Sequence, residues 1–108
     1  MVLFSCKSQV SVRFKNESSE DFKKLAANIR GKDFEFTNLG AGQTTPYLKV
    51  KSAYRYCYIK VITQKDTLTW MPFDYLGEKL HQSGKLDFRL KIIETPGQKR
   101  ELEFLDNP

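Results

Sequence analysis

A chain of 108 residues is long enough to bury one core and too short for two. Its 40% hydrophobic and 29% charged residues are the make-up of an ordinary soluble globule, and no run approaches the roughly 18 apolar residues of a membrane-spanning helix. The net charge of +5 could attract nucleic acid, anionic lipid or acidic polysaccharide, yet the cations are interleaved with Asp and Glu; the densest basic points, Lys23-Lys24 and Lys99-Arg100, are short, as on a solvated mixed-charge surface.

The amino terminus, Met1-Val2-Leu3-Phe4-Ser5-Cys6, resembles the lipobox of bacterial lipoproteins, in which a cysteine is lipidated after cleavage just before it. A small residue stands beside the cut and an apolar stretch ahead of it. A signal peptide needs roughly 15–30 residues with a basic start, and only five precede Cys6. An in-frame extension upstream would make Cys6 the lipidation site. A true start at Met1 would leave an apolar terminus with an incidental thiol and the cytoplasm as location. Residues 1–8 are accordingly set apart as a tail, and 9–108 as one domain.

Two-residue periodicity then runs through the chain. Val10, Val12 and Phe14 alternate with Ser11 and Arg13, a first strand, and residues 16–21 read as a polar loop. Ser19 to Ala26 could form a short capped helix, whereas Leu25, Ala27 and Ile29 alternate as in a strand. Gly31-Lys32 supplies a glycine at the first central position of a type II′ turn. Pairing outward from it sets Ile29 against Phe34 and Ala27 against Phe36 on the apolar face, with Asn28 against Glu35 on the other.

After a glycine-bearing loop at residues 38–43, Tyr47, Leu48 and Val50 suggest a short strand opening at Pro46. A long strand is expected from Tyr54 to Gln64, turning near Lys65-Asp66 into Thr67 to Phe73. In the tail, Pro96-Gly97 fits a type II turn. Setting Ile92 against Leu102 brings Leu90 to Phe104, Lys91 to Glu103 and Glu94 to Arg100 together. Seven or eight short strands without an intervening helix of roughly 10–15 residues point to an all-β sandwich or barrel. Eight Phe, five Tyr and one Trp suit such pleated, half-buried surfaces.

Chemistry-bearing residues are sparse. Cys6 and Cys57 form no CxxC pair, and His81 has neither a second His nor a Cys at ligand spacing, so no metal and no cofactor are expected. Gly40-Ala41-Gly42-Gln43-Thr44-Thr45 has Gln43 where a phosphate loop needs Lys and leads into a strand, so it reads as a loop. No nucleophile elbow is present; Cys57 reads as a core residue beside Ile59 and Val61, which leaves no catalytic residue to name. Asn16-Glu17-Ser18 fits a glycosylation acceptor, a pattern too common to weigh. Tyr54, Tyr56 and Tyr58 would share one face of the long strand, with Phe73 joining Tyr58 from the next. Such an aromatic row can stack on sugars or unpaired bases or anchor a protein, or it can simply carry its hydroxyls to the surface under a covering loop.

The string from Val10 to Ser18, with Asn38-Leu39 and Gly42-Gln-Thr-Thr-Pro-Tyr47, resembles DUF4397, a bacterial family of unknown function with the pattern V-R-x-x-N-x-S, a hairpin, then N-L-x-x-G-x-x-T-x-Y. Val12, Arg13, Asn16, Ser18, Gly42, Thr45 and Tyr47 stand at matching positions. The family's Ser-Pro-Asp is replaced by Ser18-Ser19-Glu20, and the glycine before its next strand by Ser52-Ala53. The resemblance covers about the first 60 residues and implies an immunoglobulin-like or transthyretin-like sandwich on a secreted or lipid-anchored envelope protein. The expectation is therefore a non-catalytic envelope lipoprotein domain tethered through Cys6, with an unknown protein or glycan as partner. Membrane contact would come only through the anchor. A nucleic-acid-binding barrel is the alternative, and a small hydrolase the last.

Overall fold

The computed structural model describes residues 9–72, 79–94, 96–97 and 99–105, and among them there are eight strands and no helix. They are β1 (Val10–Asn16), β2 (Phe22–Ile29), β3 (Lys32–Leu39), β4 (Leu48–Val50), β5 (Tyr58–Ile62), β6 (Thr67–Trp70), β7 (Gly84–Ile93) and β8 (Glu101–Leu105). One sheet has the order β4-β1-β7-β8 and the other β3-β2-β5-β6. The two stack face to face as a sandwich, not a closed barrel. The pairing is antiparallel with one exception: β1 runs parallel to β7, Val12 beside Leu86 and Arg13 beside Asp87.

Alternation dictates the core. Val10, Val12 and Phe14 of β1 face Leu25, Ala27 and Ile29 of β2 and Ile59 and Val61 of β5 across the interior, with Leu86, Phe88 and Leu90 beside them. Six rings then form a continuous file, Tyr56–Trp70–Phe104–Phe88–Phe14–Phe36, with successive centroids 4.7–5.8 Å apart and tilted or edge-on planes. Those are the arrangements a ring quadrupole favours. The file crosses between the sheets, so most of these aromatics serve the core.

Two hairpin registers and the extent of one strand differ from expectation, and one open choice is settled. The β2–β3 hairpin pairs Ile29 with Lys32, Ala27 with Phe34 and Leu25 with Phe36, two residues out of the expected register. Its turn is Arg30-Gly31, with φ of 51° and 89°, a type I′ turn. An even shift leaves each side chain on its face, so hydrophobic patterning alone cannot detect it. Asn28 settles the choice: its Oδ1 accepts the Gly31 N–H at 3.0 Å and its Nδ2 donates to Asp33 at 2.8 Å. An alanine Cβ at residue 31 would meet nothing within 4 Å. Gly31→Ala should therefore cost only the left-handed backbone penalty, about 1 kcal/mol, read by urea unfolding; a neutral result would rule out the type I′ turn.

The helix weighed for residues 19–26 is absent, because Phe22–Ile29 is the central partner of both β3 and β5. Its alternation slips once, since Phe22 and Leu25 are both fully buried. The neighbouring strand slips with it, at Asn38, whose φ is 56°, which lets Leu39 turn inward opposite Phe22.

The long strand expected from Tyr54 pairs only over Tyr58–Ile62. Its neighbour β2 turns away after Ile29, and Asn28 is already opposite Tyr58, so residues 54–57 pair with no strand among the described residues. The β5–β6 register sets Lys60 against Thr69 and Ile59 against Trp70, again two residues from expectation. The tail hairpin follows the expected register, with Leu90 opposite Phe104, Lys91 opposite Glu103 and Ile92 opposite Leu102.

Candidate functional site

Buried Asn16 organises one pole of the sandwich, where the β1–β2, β3–β4 and β5–β6 connections meet. Its Nδ2 donates to the carbonyls of Glu20 (2.7 Å) and Leu39 (3.1 Å), and its Oδ1 accepts the Ser18 N–H (2.9 Å) and hydroxyl (2.6 Å). The first of the two Ser18 bonds closes an Asx-turn. The Asn16 backbone is also occupied, its N–H donating to Gln43 O and its carbonyl accepting the Gly42 N–H at 2.7 Å. A side chain at 0% exposure with both amide protons donated is unavailable to a glycosyl transfer enzyme in the folded protein. The same bonds turn the glycine loop inward, and Thr45 fixes it: its Oγ1 accepts the Phe14 N–H at 2.9 Å.

Arg100 closes the pole from beneath. Its guanidinium grips Glu20 with both terminal nitrogens and Asp66 through Nε at 3.0 Å, with Glu94 at 3.4 Å. Glu20 comes from the β1–β2 loop and Asp66 from the β5–β6 turn, so one side chain ties two connections to the tail hairpin. Thr63 aims Asp66 by donating to Oδ1 at 2.7 Å. The hydrogen bonds to Arg100 hold both carboxyls below their ordinary range.

Above this frame lies a cleft of about 690 Å³ lined by Glu20, Asp21, Phe22, Lys23, Asn38, Gly40, Gln43, Gln64 and Lys65. Asp21 Oδ1 accepts the Ala41 N–H at 2.9 Å, and Gln43 Oε1 accepts the Gly40 N–H at 2.7 Å. A Cβ on Gly40 would come within 2.9 Å of that Gln43 oxygen, so the glycine makes room for the amide. Carboxylate, amide and ammonium groups thus surround one concavity, offering hydrogen-bond donors and acceptors together.

The residues singled out from the sequence are dispersed. Tyr58 lies on the outer face of its sheet with Lys60 and Ile62 flanking it along β5. Tyr56 packs on Trp70, and Tyr54 lies beneath Arg30, 5.8 Å from guanidinium to ring centre. All three are half-buried, and they do not form a row on one strand; Phe73 and Cys6 fall outside the described residues. Cys57 is a core thiol, as read, and burial pushes it up to about 12. His81 bridges to Ala53, and burial, with Lys79 and Arg55 nearby, lowers its pKa, so it is neutral at pH 7.

The residues carrying the family resemblance behave differently: they converge. Arg13 forms a two-point ion pair with Asp87 (2.7 and 3.1 Å) and covers the ring of Tyr47 at 4.5 Å. Asn16, Ser18, Gly42 and Thr45 are the loop brackets just described. The pattern therefore marks a way of fastening β1 to its neighbours. Arg100, by contrast, showed in the sequence only as a partner for Glu94; nothing local to it signals Glu20 or Asp66, 80 and 34 positions away.

No family model matches this chain, and no curated protein does. Among solved structures it is similar to an NMR structure of a protein from Eubacterium rectale, with a TM-score of 0.66 and 14% identity over 98% of this chain and 97% of that one. At that identity the likeness is one of fold.

Proposed function

We propose that this chain is a non-catalytic binding domain, an immunoglobulin-like sandwich of the bacterial cell envelope tethered through Cys6, that takes a glycan in the cleft at its loop-bearing pole. The carrying observation is the cleft: three loops held by Asn16 and Arg100, with Asp21, Asn38, Gln43 and Gln64 around it. Polyhydroxylated ligands are recognised by such sets of amides and carboxylates on a rigid frame. β1 enters the fold at the opposite pole, so a tether at Cys6 would leave the cleft facing outward. The envelope location rests on the lipobox and family resemblances of the first 60 residues.

A binding role also fits the state of the reactive groups. A thiol near 12 stays protonated at neutral pH and is a poor nucleophile, and Glu20 and Asp66 are held ionised by an arginine, unlike a poised general acid.

Calorimetry against a panel of neutral and uronic-acid-containing oligosaccharides tests the reading. At least one should bind, and Gln64→Ala with Asn38→Gly should weaken it about tenfold or more, since each removes a side chain from the lining while leaving the frame. A silent panel, or binding indifferent to both substitutions, would remove glycan recognition from this cleft.

A further inference from the structure

The pole opposite the cleft gathers the positive charge. The hairpin tip contributes Arg30 and Lys32, and the end of β4 contributes Lys49 and Lys51; with Gln9 and Ile29 these line one shallow hollow of about 450 Å³. Lys85 belongs to the same end, since Gly84 stands beside Val10 and Lys85 beside Ser11. Arg55 and Lys79 are close enough to His81, bridged to Ala53, to act on its charge. All seven are exposed, and none forms an ion pair with a described residue.

Among the described residues, most acids are placed elsewhere. Glu17, Glu20, Asp66 and Glu94 are engaged with Lys15, Arg89 and Arg100 away from this end, whereas Asp87, paired with Arg13, is near enough to Lys85 to feel its charge. Among the described residues Asp33 is the acid nearest the hairpin tip, held by Asn28. The sequence spreads these seven cations over residues 30–85, and folding brings them to one surface.

We propose that this basic pole is a membrane-facing surface that docks on anionic lipid. The excess of positive charge calls for an anionic partner, and the place where the chain enters the sandwich selects lipid over other polyanions. Gln9 lines the hollow between the lysines, and Cys6 is three positions before it in the sequence, a reach of at most about 10 Å. That is about one Debye length at physiological salt, so on the tethered reading proposed above the cations would lie where the surface potential acts on them. Each lysine or arginine so placed adds to membrane affinity, which would fix the domain's orientation and hold the cleft away from the bilayer.

The test uses the unlipidated chain, so it does not depend on Cys6 being modified. Co-sedimentation is measured with vesicles of pure phosphatidylcholine and with vesicles containing 30 mol% phosphatidylglycerol (about one anionic lipid in three). Binding should require phosphatidylglycerol, fall steeply with salt, and weaken about tenfold or more in Lys49→Gln/Lys51→Gln. The control Lys91→Gln/Lys99→Gln, with equal charge change at the other pole, should bind as the parent does. Absence of binding at low salt, equal loss in both variants, or tighter binding to a single-stranded oligonucleotide than to the vesicles would each overturn the proposal. The tether is read separately, by mass spectrometry of Cys6 in cells, and its failure would leave the vesicle result standing.

Discussion

Asn16→Ala should destabilise the domain by about 3 kcal/mol, lowering its melting temperature by roughly 15 °C at constant urea m-value. The substitution removes the donor for the Leu39 carbonyl, the acceptor for the Ser18 N–H and one of the two donors to the Glu20 carbonyl, which keeps the Ser18 hydroxyl. Each buried polar group left without a partner costs about 1–3 kcal/mol, and no water can reach a residue at 0% exposure without opening the pole. Two companions separate this account from a simple volume loss. Ser18→Ala deletes a hydroxyl that donates to Asn16 Oδ1 and accepts the Glu20 N–H, and should cost about 1 kcal/mol. Asn16→Asp keeps the shape and the Ser18 acceptor but sets a carboxylate against two carbonyl oxygens, so it should be at least as damaging as alanine. An Asn16→Asp protein as stable as the parent would show that the amide protons do not matter.

The tail register was legible because apolar pairs and charge pairs agree on one alignment, and Pro96-Gly97 closes it with φ of 77° at the glycine. The β2–β3 turn was legible in place but not in register, because two alignments two residues apart bury the same faces. The deciding contacts are polar: Asn28 to Gly31 and Asp33. Tyr54-Arg55-Tyr56-Cys57 has the rhythm of a strand, yet a strand needs a neighbour, and β2 has already turned away. The parallel β1–β7 pair, the grip of Arg100 on Glu20 and Asp66, and the basic pole all join residues tens of positions apart. Single-residue patterning holds no information about such pairings. Asn16 lies between the two cases, because its N-x-S spacing fits an Asx-turn as well as a glycosylation acceptor, and only burial distinguishes them.

Arg100 offers the second large effect, and it carries a pH signature. Glu20 and Asp66 have ordinary values of 4.5 and 3.8, and both are lowered in the fold, first by their hydrogen bonds to Arg100. A carboxyl whose pKa is depressed by folding contributes stability that is fully present above its unfolded value. That contribution fades as pH falls from about 4.5 towards the folded value and both carboxyls take up protons. Arg100→Met leaves two carboxylates facing one another without their cation. Because Arg100 is only 13% exposed, while Glu20 and Asp66 keep 23% and 31%, the loss at pH 7 should be about 2–3 kcal/mol, below that of a fully buried pair. In the variant the decline of stability below pH 4.5 should be much shallower, leaving the part carried by Asp87 with Arg13 and by Glu17 with Lys15 and Arg89. Arg100→Lys keeps the charge but cannot hold Glu20 and Asp66 at once with a planar fork, so it should recover less than half of the loss. Urea unfolding of the three proteins at intervals from pH 7 to pH 3 reads all of this. Parallel stability curves for the parent and Arg100→Met would show that the guanidinium does not govern these two carboxyls.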